Sequence, residues 1–303
     1  MRKMSVKYPY NISISLYGDR FATKDWIGAF ISIAEQWKVR LSIEYTWFGC
    51  NYYDGEEIKD KEFRYIKRNM KRIEQLLSAK EIRSISFTVI ERGVDQVRDI
   101  ESMIYLAEPG RSPHTWEPYH HFYFLVVPEV LKPMFQAGTP FNFFLSVMQE
   151  VEAQLMNVCY GLIHPMVSEK LAALYFMNIS NEHLSPSEKE KLFIWKGSNR
   201  EFATKIWGAF WGNVLTDKHL GAHRAEILAQ IRDIVGPENL VEWAEGKYFF
   251  AVPVDILDFL AQRHRLEEYT QRLEDMFAKY NLLMTQDIRD VVAKRVKELE
   301  SKG

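Results

Sequence analysis

Residues 11–16, NISISL, decide the fold class that this sequence predicts. Apolar side chains alternate with serines there, so one side of an extended chain would face a core and the other would face water. The same alternation runs through residues 39–47, VRLSIEYTW, and residues 84–89, SISFTV. Strands with one solvent-exposed face are typical of antiparallel sheets, because parallel sheets are usually covered on both faces.

Helical patterns separate these strands and continue after them. Residues 23–37 and 61–79 place apolar side chains at helical spacing, and residues 207–215 are also expected to be helical. A hairpin is predicted around Glu245 and Gly246, and a long helix with an apolar stripe follows it. The sequence therefore predicts an α+β fold in which helices pack on one face of an antiparallel sheet or sheets.

Two pairs of similar segments suggest two related α+β halves. FATKDWIGAF at residues 21–30 is similar to FATKIWGAF at residues 202–210, and HHFYFLVVPEVL at residues 120–131 is similar to GKYFFAVPVDIL at residues 246–257. Both pairs would be explained either by a duplication or by a common local pattern in which a strand is followed by proline and a helix. The predicted organisation is an N-terminal half, a C-terminal half packed against it, and a C-terminal helix: residues 1–167, 168–284 and 285–303.

Charge and cysteine content exclude several classes of function. The chain has 39 Lys and Arg against 41 Asp and Glu, a formal charge of −2, which argues against broad nucleic-acid binding because such binding needs a clustered positive field. Cys50 and Cys159 are too few for a disulfide framework, so both are expected to be free thiols. We expect no cofactor, no membrane span and a cytoplasmic location, since no apolar stretch of signal-peptide or spanning length is present.

Histidines form the candidate catalytic groups. His114 precedes His120 and His121, and a metal-dependent hydrolase that uses this cluster is one alternative. Adjacent strand residues point to opposite faces, so at most one of the last two can join His114. His219 and His223 have the spacing of a zinc-binding helix, but Leu220 stands where such a motif needs glutamate. The sequence therefore assigns no catalytic residue and no metal ligand.

Aromatic residues beside acids form the candidate binding surface. They lie in two segments that are expected to be loops, residues 49–57 and residues 108–119. Aromatic side chains offer a large contact area with few torsions to freeze, and the acids would steer a partner. The candidate partner-binding residues are Asn51, Tyr52, Tyr53, Asp54, Glu56, Glu57, His114, Trp116 and Tyr119.

The order of these segments resembles the type VI immunity family that includes immunity protein 52. The resemblance covers roughly residues 10–280 and depends on the opening ISISL, the strand FYFLVVPEVL, CYGLIHP, IWGAFWGNVLTDKHLGAHRAEIL and LVEWAEGKYFFAVP. The positions that match are structural rather than chemical: Gly161, Trp207, Leu220, Gly221 and Gly246. Ala222 departs from the pattern, because that family usually has glycine there.

The resemblance implies an α+β protein that binds a cognate protein toxin, neutralises it by occlusion and performs no catalysis itself. A second alternative to this function, besides the hydrolase, is a structural protein that oligomerises through its C-terminal helix. Residues 286–302 place an apolar stripe along that helix, which would either pack on the body or bind a partner. The oligomeric state is left open.

Overall fold

The structure is a computed structural model that describes residues 10–90, 100–111, 116–117, 119–135, 139–166 and 201–284. It has the predicted α+β class with antiparallel strands. Contacts divide the chain into two compact units, Met1–Val158 with His164–Asn178 and Cys159–Ile163 with Ile179–Gly303. The predicted boundaries after residues 167 and 284 stay predictions, because both adjoin residues outside the described part.

The first unit is built on a sheet of six antiparallel strands. In chain order these are β1 (Asn11–Phe21), β2 (Trp47–Asp54), β3 (Glu57–Arg64), β4 (Glu81–Ile90), β5 (Ile100–Ala107) and β8 (His120–Val126). Their order across the sheet is β1, β8, β5, β4, β2 and β3. A separate small pair consists of β6 (Gly110–Arg111) and β7 (Trp116–Glu117).

Four helices accompany this sheet: α1 (Trp26–Arg40), α2 (Lys67–Ala79), α3 (Pro128–Phe135) and α4 (Pro140–Gln154). Helix α1 begins where the Asp25 carboxylate accepts a hydrogen bond from the Gly28 amide, which satisfies one of the free donors of the first turn. The indole of Trp37 on this helix packs edge-on against Phe122 and Phe124 of β8, at ring distances of 5.7 and 4.6 Å. The apolar face of the sheet is therefore covered by α1.

Strand β9 (Met156–Met166) contributes residues to both units. In the second unit, residues 161–163 of β9 pair with β10 (Gly212–Thr216), which pairs in turn with β12 (Lys247–Ala251) and through it with β11 (Leu240–Ala244). The helices of this unit are α5 (Asp217–Leu220), α6 (Arg224–Val235) and α7 (Phe259–Lys279). The hairpin predicted around Gly246 and the apolar stripe of the long helix are both present.

Several predictions about local structure are wrong. Residues 39–47 are not a strand, since α1 continues to Arg40 and β2 begins only at Trp47. Leu41, Ile43 and Tyr45 are nevertheless buried in alternation with Ser42 and Glu44, although the chain turns at Leu41 and at Ser42, which has φ +53°.

The helix predicted over residues 207–215 is absent. Residues 207–211 are irregular and β10 follows them, because the Asn213 side chain closes a turn. Its Oδ1 accepts a hydrogen bond from the Phe210 N–H at 3.0 Å, and its Nδ2 donates one to the Phe210 carbonyl at 2.9 Å. The two FATK segments therefore differ, since the first leads into helix α1 and the second into strand β10. This observation gives no support to a duplication of that segment.

The expectation that the serine side of β1 meets water is also wrong. Ser13 and Ser15 are both 0% exposed, as buried as Ile12 and Ile14 on the other side. Strand β1 is therefore buried on both of its faces. Alternation in the sequence identified the two faces but not what covers the polar one.

Candidate functional site

Residues 49–57 form most of a β-hairpin and are not a loop. Strands β2 and β3 pair without interruption from Trp47 opposite Arg64 to Asp54 opposite Glu57. The connection is the two-residue turn of Gly55 and Glu56, in which Gly55 has φ +67°, a conformation that glycine adopts without steric cost. Glycine at the first central position of a two-residue connection is typical of a hairpin turn, and the sequence interpretation overlooked it.

The hairpin divides the predicted binding residues between two faces. Phe48, Cys50 and Tyr52 are buried, whereas Trp47, Asn51 and Tyr53 are half-buried. Successive strand residues point to opposite sides, so the three half-buried residues share one face. Of the adjacent tyrosines, Tyr53 is accessible and Tyr52, only 7% exposed, is not.

The buried side of the hairpin is a packed core. Phe48 contacts Phe87 at a ring distance of 5.4 Å, and the Lys80 ammonium lies 5.6 Å from the Tyr52 ring. Burial raises the pKa of the Cys50 thiol to about 11, with a further contribution from the charge of Asp60. Cys50 is therefore a protonated, unreactive thiol at neutral pH.

The acids at the tip are partly neutralised by lysines. Asp54 accepts hydrogen bonds from Lys59 at 2.8 Å and from Lys80 at 3.1 Å, and these bonds, that of Lys59 first, hold the pKa of Asp54 below its usual value. Glu57 lies 3.8 Å from the same Lys59 ammonium. The predicted steering by acids is consequently weaker at Asp54 and Glu57 than the sequence suggests, and Glu56 makes no ion pair within the described part of the chain.

The accessible side of the hairpin carries aromatic and polar side chains in cross-strand rows. Tyr53 lies opposite Ile58, Asn51 opposite Asp60, and Trp47 opposite Arg64. The Arg64 guanidinium is 5.5 Å from the centre of the Trp47 ring, within the range of a cation–π contact. We call the surface formed by Trp47, Asn51, Tyr53, Ile58 and Arg64 the open face.

Trp47, Ile58 and Arg64 were missed at the level of sequence. Trp47 was assigned to the end of a strand over residues 39–47, and the other two fell in a predicted helix over residues 61–79 or just before it. Recognising the two-residue turn of Gly55 and Glu56 would have found them, because such a turn fixes the pairing register of the whole hairpin.

The second predicted segment, residues 108–119, is described only in part. His114 lies outside the described residues, and Trp116 belongs to β7 without a described side chain. Tyr119 is half-buried and directly precedes β8. Of these residues, Tyr119 alone has a described side chain, and it is not part of the open face.

His120 and His121 point to opposite faces of β8, and His114 lies outside the described residues. His121 stacks on Tyr17 with ring centres 4.6 Å apart, and His120, on the other face of β8, packs against Phe21 at 3.9 Å. Burial lowers the pKa of His120 to about 4, so its imidazole is neutral at physiological pH. Among the residues that the structure describes, no group of three His, Cys, Asp or Glu is arranged to hold a metal ion.

His219 and His223 also differ too much in environment to act together. His219 is 3% exposed and its Nδ1 accepts a hydrogen bond from the Thr216 amide at 3.0 Å, which fixes the start of α5. Burial lowers its pKa to about 4 despite nearby carbonyl groups. His223 is exposed and lies 3.5 Å from Glu226. The buried imidazole is a structural group.

Comparisons with known proteins add little to this geometry. No protein-family model matches the chain, and no curated protein is significantly similar to it. The Pseudomonas aeruginosa T6SS protein PA0821 is a distant structural neighbour at a TM-score of 0.47 and 11% identity, covering 88% of this chain and 73% of that one. We draw no conclusion from similarity at this level. No helix in the described ranges is both long and apolar enough to cross a membrane.

Proposed function

We propose that this chain is an immunity-type protein that binds a cognate protein toxin in the cytoplasm and neutralises it by covering the toxin's active site. The open face is the observation that carries this proposal. It presents two half-buried aromatic side chains, Trp47 and Tyr53, with the Arg64 guanidinium over the first. Tryptophan, tyrosine and arginine are the residues most enriched among those that dominate binding energy at protein interfaces.

The rigidity of the surface also supports binding. Strand β2 is hydrogen-bonded to β3 on one side and to β4 on the other, and its buried side chains anchor it to the core. Side chains that project from such a strand lose little further conformational freedom when a partner binds. A preformed surface of this kind suits an inhibitor that acts by occlusion.

The pattern-level resemblance to the type VI immunity family favours a toxin as the partner. The hydrolase alternative has no comparable support among the described residues, where no group of three His, Cys, Asp or Glu is arranged to hold a metal ion. An interface of about 800 Å² per partner would extend beyond the open face. The flanking charged strand β3 is the adjoining surface.

Co-purification with the product of the adjacent gene tests the proposal. We expect a stable complex and survival of cells that express both proteins. Trp47→Ala and Tyr53→Ala are each expected to weaken the complex roughly 30-fold, the effect of losing a dominant interface contact. The measurement is a titration by calorimetry, together with growth of the co-expressing cells.

A matched control is available in the second unit. Tyr269 on α7 is also half-buried and has the Arg272 guanidinium 5.7 Å from its ring. Tyr269→Ala should leave the affinity unchanged, because this residue lies outside the open face. Absence of a complex and of rescue would refute the proposed function, and equal losses in all three variants would refute the assignment of the surface.

A further inference from the structure

Strand β3 is an uncovered edge of the sheet. It pairs with β2 along its whole length of eight residues, and no described strand pairs with its other side. The pairing has no bulge, and the strand contains no proline. Outward backbone N–H and C=O groups of such an edge form a template for another strand.

Charges on β3 are sorted by face. Lys59 and Lys61 lie opposite Tyr52 and Cys50, on the side of the hairpin whose β2 residues are buried. Asp60 and Glu62 lie opposite Asn51 and Gly49, on the side of the open face. All four charged side chains are exposed. Within residues 59–62 one face of the edge is therefore basic and the other is acidic, while Glu57 and Arg64 at the ends of β3 carry the opposite charge to their own face.

This arrangement disfavours pairing with a second copy of the chain. When two antiparallel copies of β3 are related by a two-fold axis, the same face of each strand lies on the same side of the joined sheet. A residue is then paired either with its own copy or with another residue of the same face. Registers centred on Asp60 or Lys61 then pair only like charges. Registers centred on Lys59 or Glu62 set one like pair beside two opposite pairs, Glu57 with Lys61 or Asp60 with Arg64, whereas a strand of inverse charge meets an opposite charge at all six charged positions of β3. Like charges directly opposite each other destabilise a strand pair.

We propose that β3 binds, by antiparallel strand addition, a strand of a protein partner whose charges are the inverse of its own. That strand carries acidic residues opposite Lys59 and Lys61 and basic residues opposite Asp60 and Glu62. Main-chain hydrogen bonds supply the affinity in this mode, and the alternating side chains supply the choice of partner. The inference rests on the proposed function, since it names how the toxin is held.

Two synthetic peptides of equal composition provide the probe. The complementary peptide is Glu-Val-Lys-Glu-Lys-Glu-Val-Lys, written antiparallel to residues 64 to 57 of β3. The control, Lys-Val-Glu-Lys-Glu-Lys-Val-Glu, inverts every charge and keeps the net charge and apolar content. Fluorescence anisotropy of the labelled peptides should show at least about tenfold tighter binding of the complementary peptide, because every charged cross-strand pair changes sign.

A double variant links the preference to this strand. Lys61→Glu with Glu62→Lys inverts one charge on each face and leaves Lys59 bonded to Asp54. Each peptide then makes both favourable and unfavourable charge pairs with β3. The preference of the protein for the complementary peptide over the control should therefore fall to about twofold or less. Circular dichroism confirms that the variant is folded.

Each alternative result overturns the strand-addition proposal. One is equal binding of both peptides, or binding of neither up to millimolar concentration. Another is a dimer in sedimentation velocity that Lys61→Glu dissociates, since a second copy would then occupy the edge. A toxin complex whose affinity is unchanged by the double variant also overturns it, while leaving the proposed function standing.

Discussion

Strands β1 and β2 both place alternate side chains on two faces, but the second face has different surroundings in the two strands. On β1, Ser13 and Ser15 are as fully buried as the isoleucines between them. On β2, Trp47, Asn51 and Tyr53 alternate with the buried Phe48, Cys50 and Tyr52 and remain half-exposed, and two of these accessible side chains are aromatic. The period of two therefore identifies which side chains share a face. Whether the second face meets water depends on what packs against it.

The largest expected difference between the buried region around β1 and the open face on β2 is the loss of stability when an aromatic side chain is removed. Phe124 of β8, paired with Ile14 of β1, is 0% exposed and packs against Trp37. Phe124→Ala should lower the free energy of unfolding by about 3–5 kcal/mol, through lost burial and the cavity left behind. Tyr53→Ala on the open face should cost about 1 kcal/mol or less. Urea denaturation of both variants measures this, and similar losses would contradict the comparison.

A smaller effect is expected from pH, through His120 on the buried strand β8. Its pKa is about 4 in the folded protein, against roughly 6.5 in the unfolded chain, so only the unfolded chain takes up the proton between these values. The stability linked to this group is complete above pH 6.5 and is lost as the pH falls towards 4.

The measurement for His120 is urea unfolding at pH 7.5 and pH 4.5, for the natural protein and for His120→Gln. We expect the natural protein to lose roughly 2 kcal/mol more than the variant between the two pH values. His219 titrates in the same range in both proteins, so its contribution cancels. An equal pH dependence would mean that the folded protein accepts the proton on His120.

The smallest expected effect separates the two buried serines of β1. The Ser13 hydroxyl donates a hydrogen bond to the His164 carbonyl at 3.3 Å, so Ser13→Ala should cost about 1 kcal/mol. The Ser15 hydroxyl has no hydrogen-bond partner among the described residues, so Ser15→Ala should change stability by about 0.5 kcal/mol or less. Thermal unfolding of the two variants side by side tests this, and a larger loss for Ser15→Ala would contradict it.

The sequence suggested candidate residues by their type, but not which of their side chains share a surface. Asn51, Tyr52 and Tyr53 were selected because aromatic residues stand beside acids, and that reasoning treats neighbours in sequence as neighbours on a surface. In a strand they alternate, so the structure keeps Asn51 and Tyr53 on the open face and buries Tyr52. Arg64 joins the site through the pairing register of the hairpin, which its two-residue turn fixes and which the reading of residues 49–57 as a loop overlooked.

The fold was predicted best where the signals are local. The hairpin at Gly246 depends on a turn residue between two apolar runs, and the buried residues of α7, Phe259, Leu266, Leu273 and Met276, follow the helical period. Prediction failed over residues 207–215, where the side chain of Asn213 closes a turn that apolar spacing does not reveal.

The sequence by itself determined the α+β class, the second hairpin and the positions of the apolar faces, because these depend on side-chain period and turn residues within short segments. Only the tertiary structure decided that the serine side of β1 is buried, that the β2 face of Trp47 and Tyr53 is open, and that β3 forms an edge. These properties depend on which distant segments pack together. The burial of a side chain is set by all of its neighbours in space, and most of those are remote in sequence.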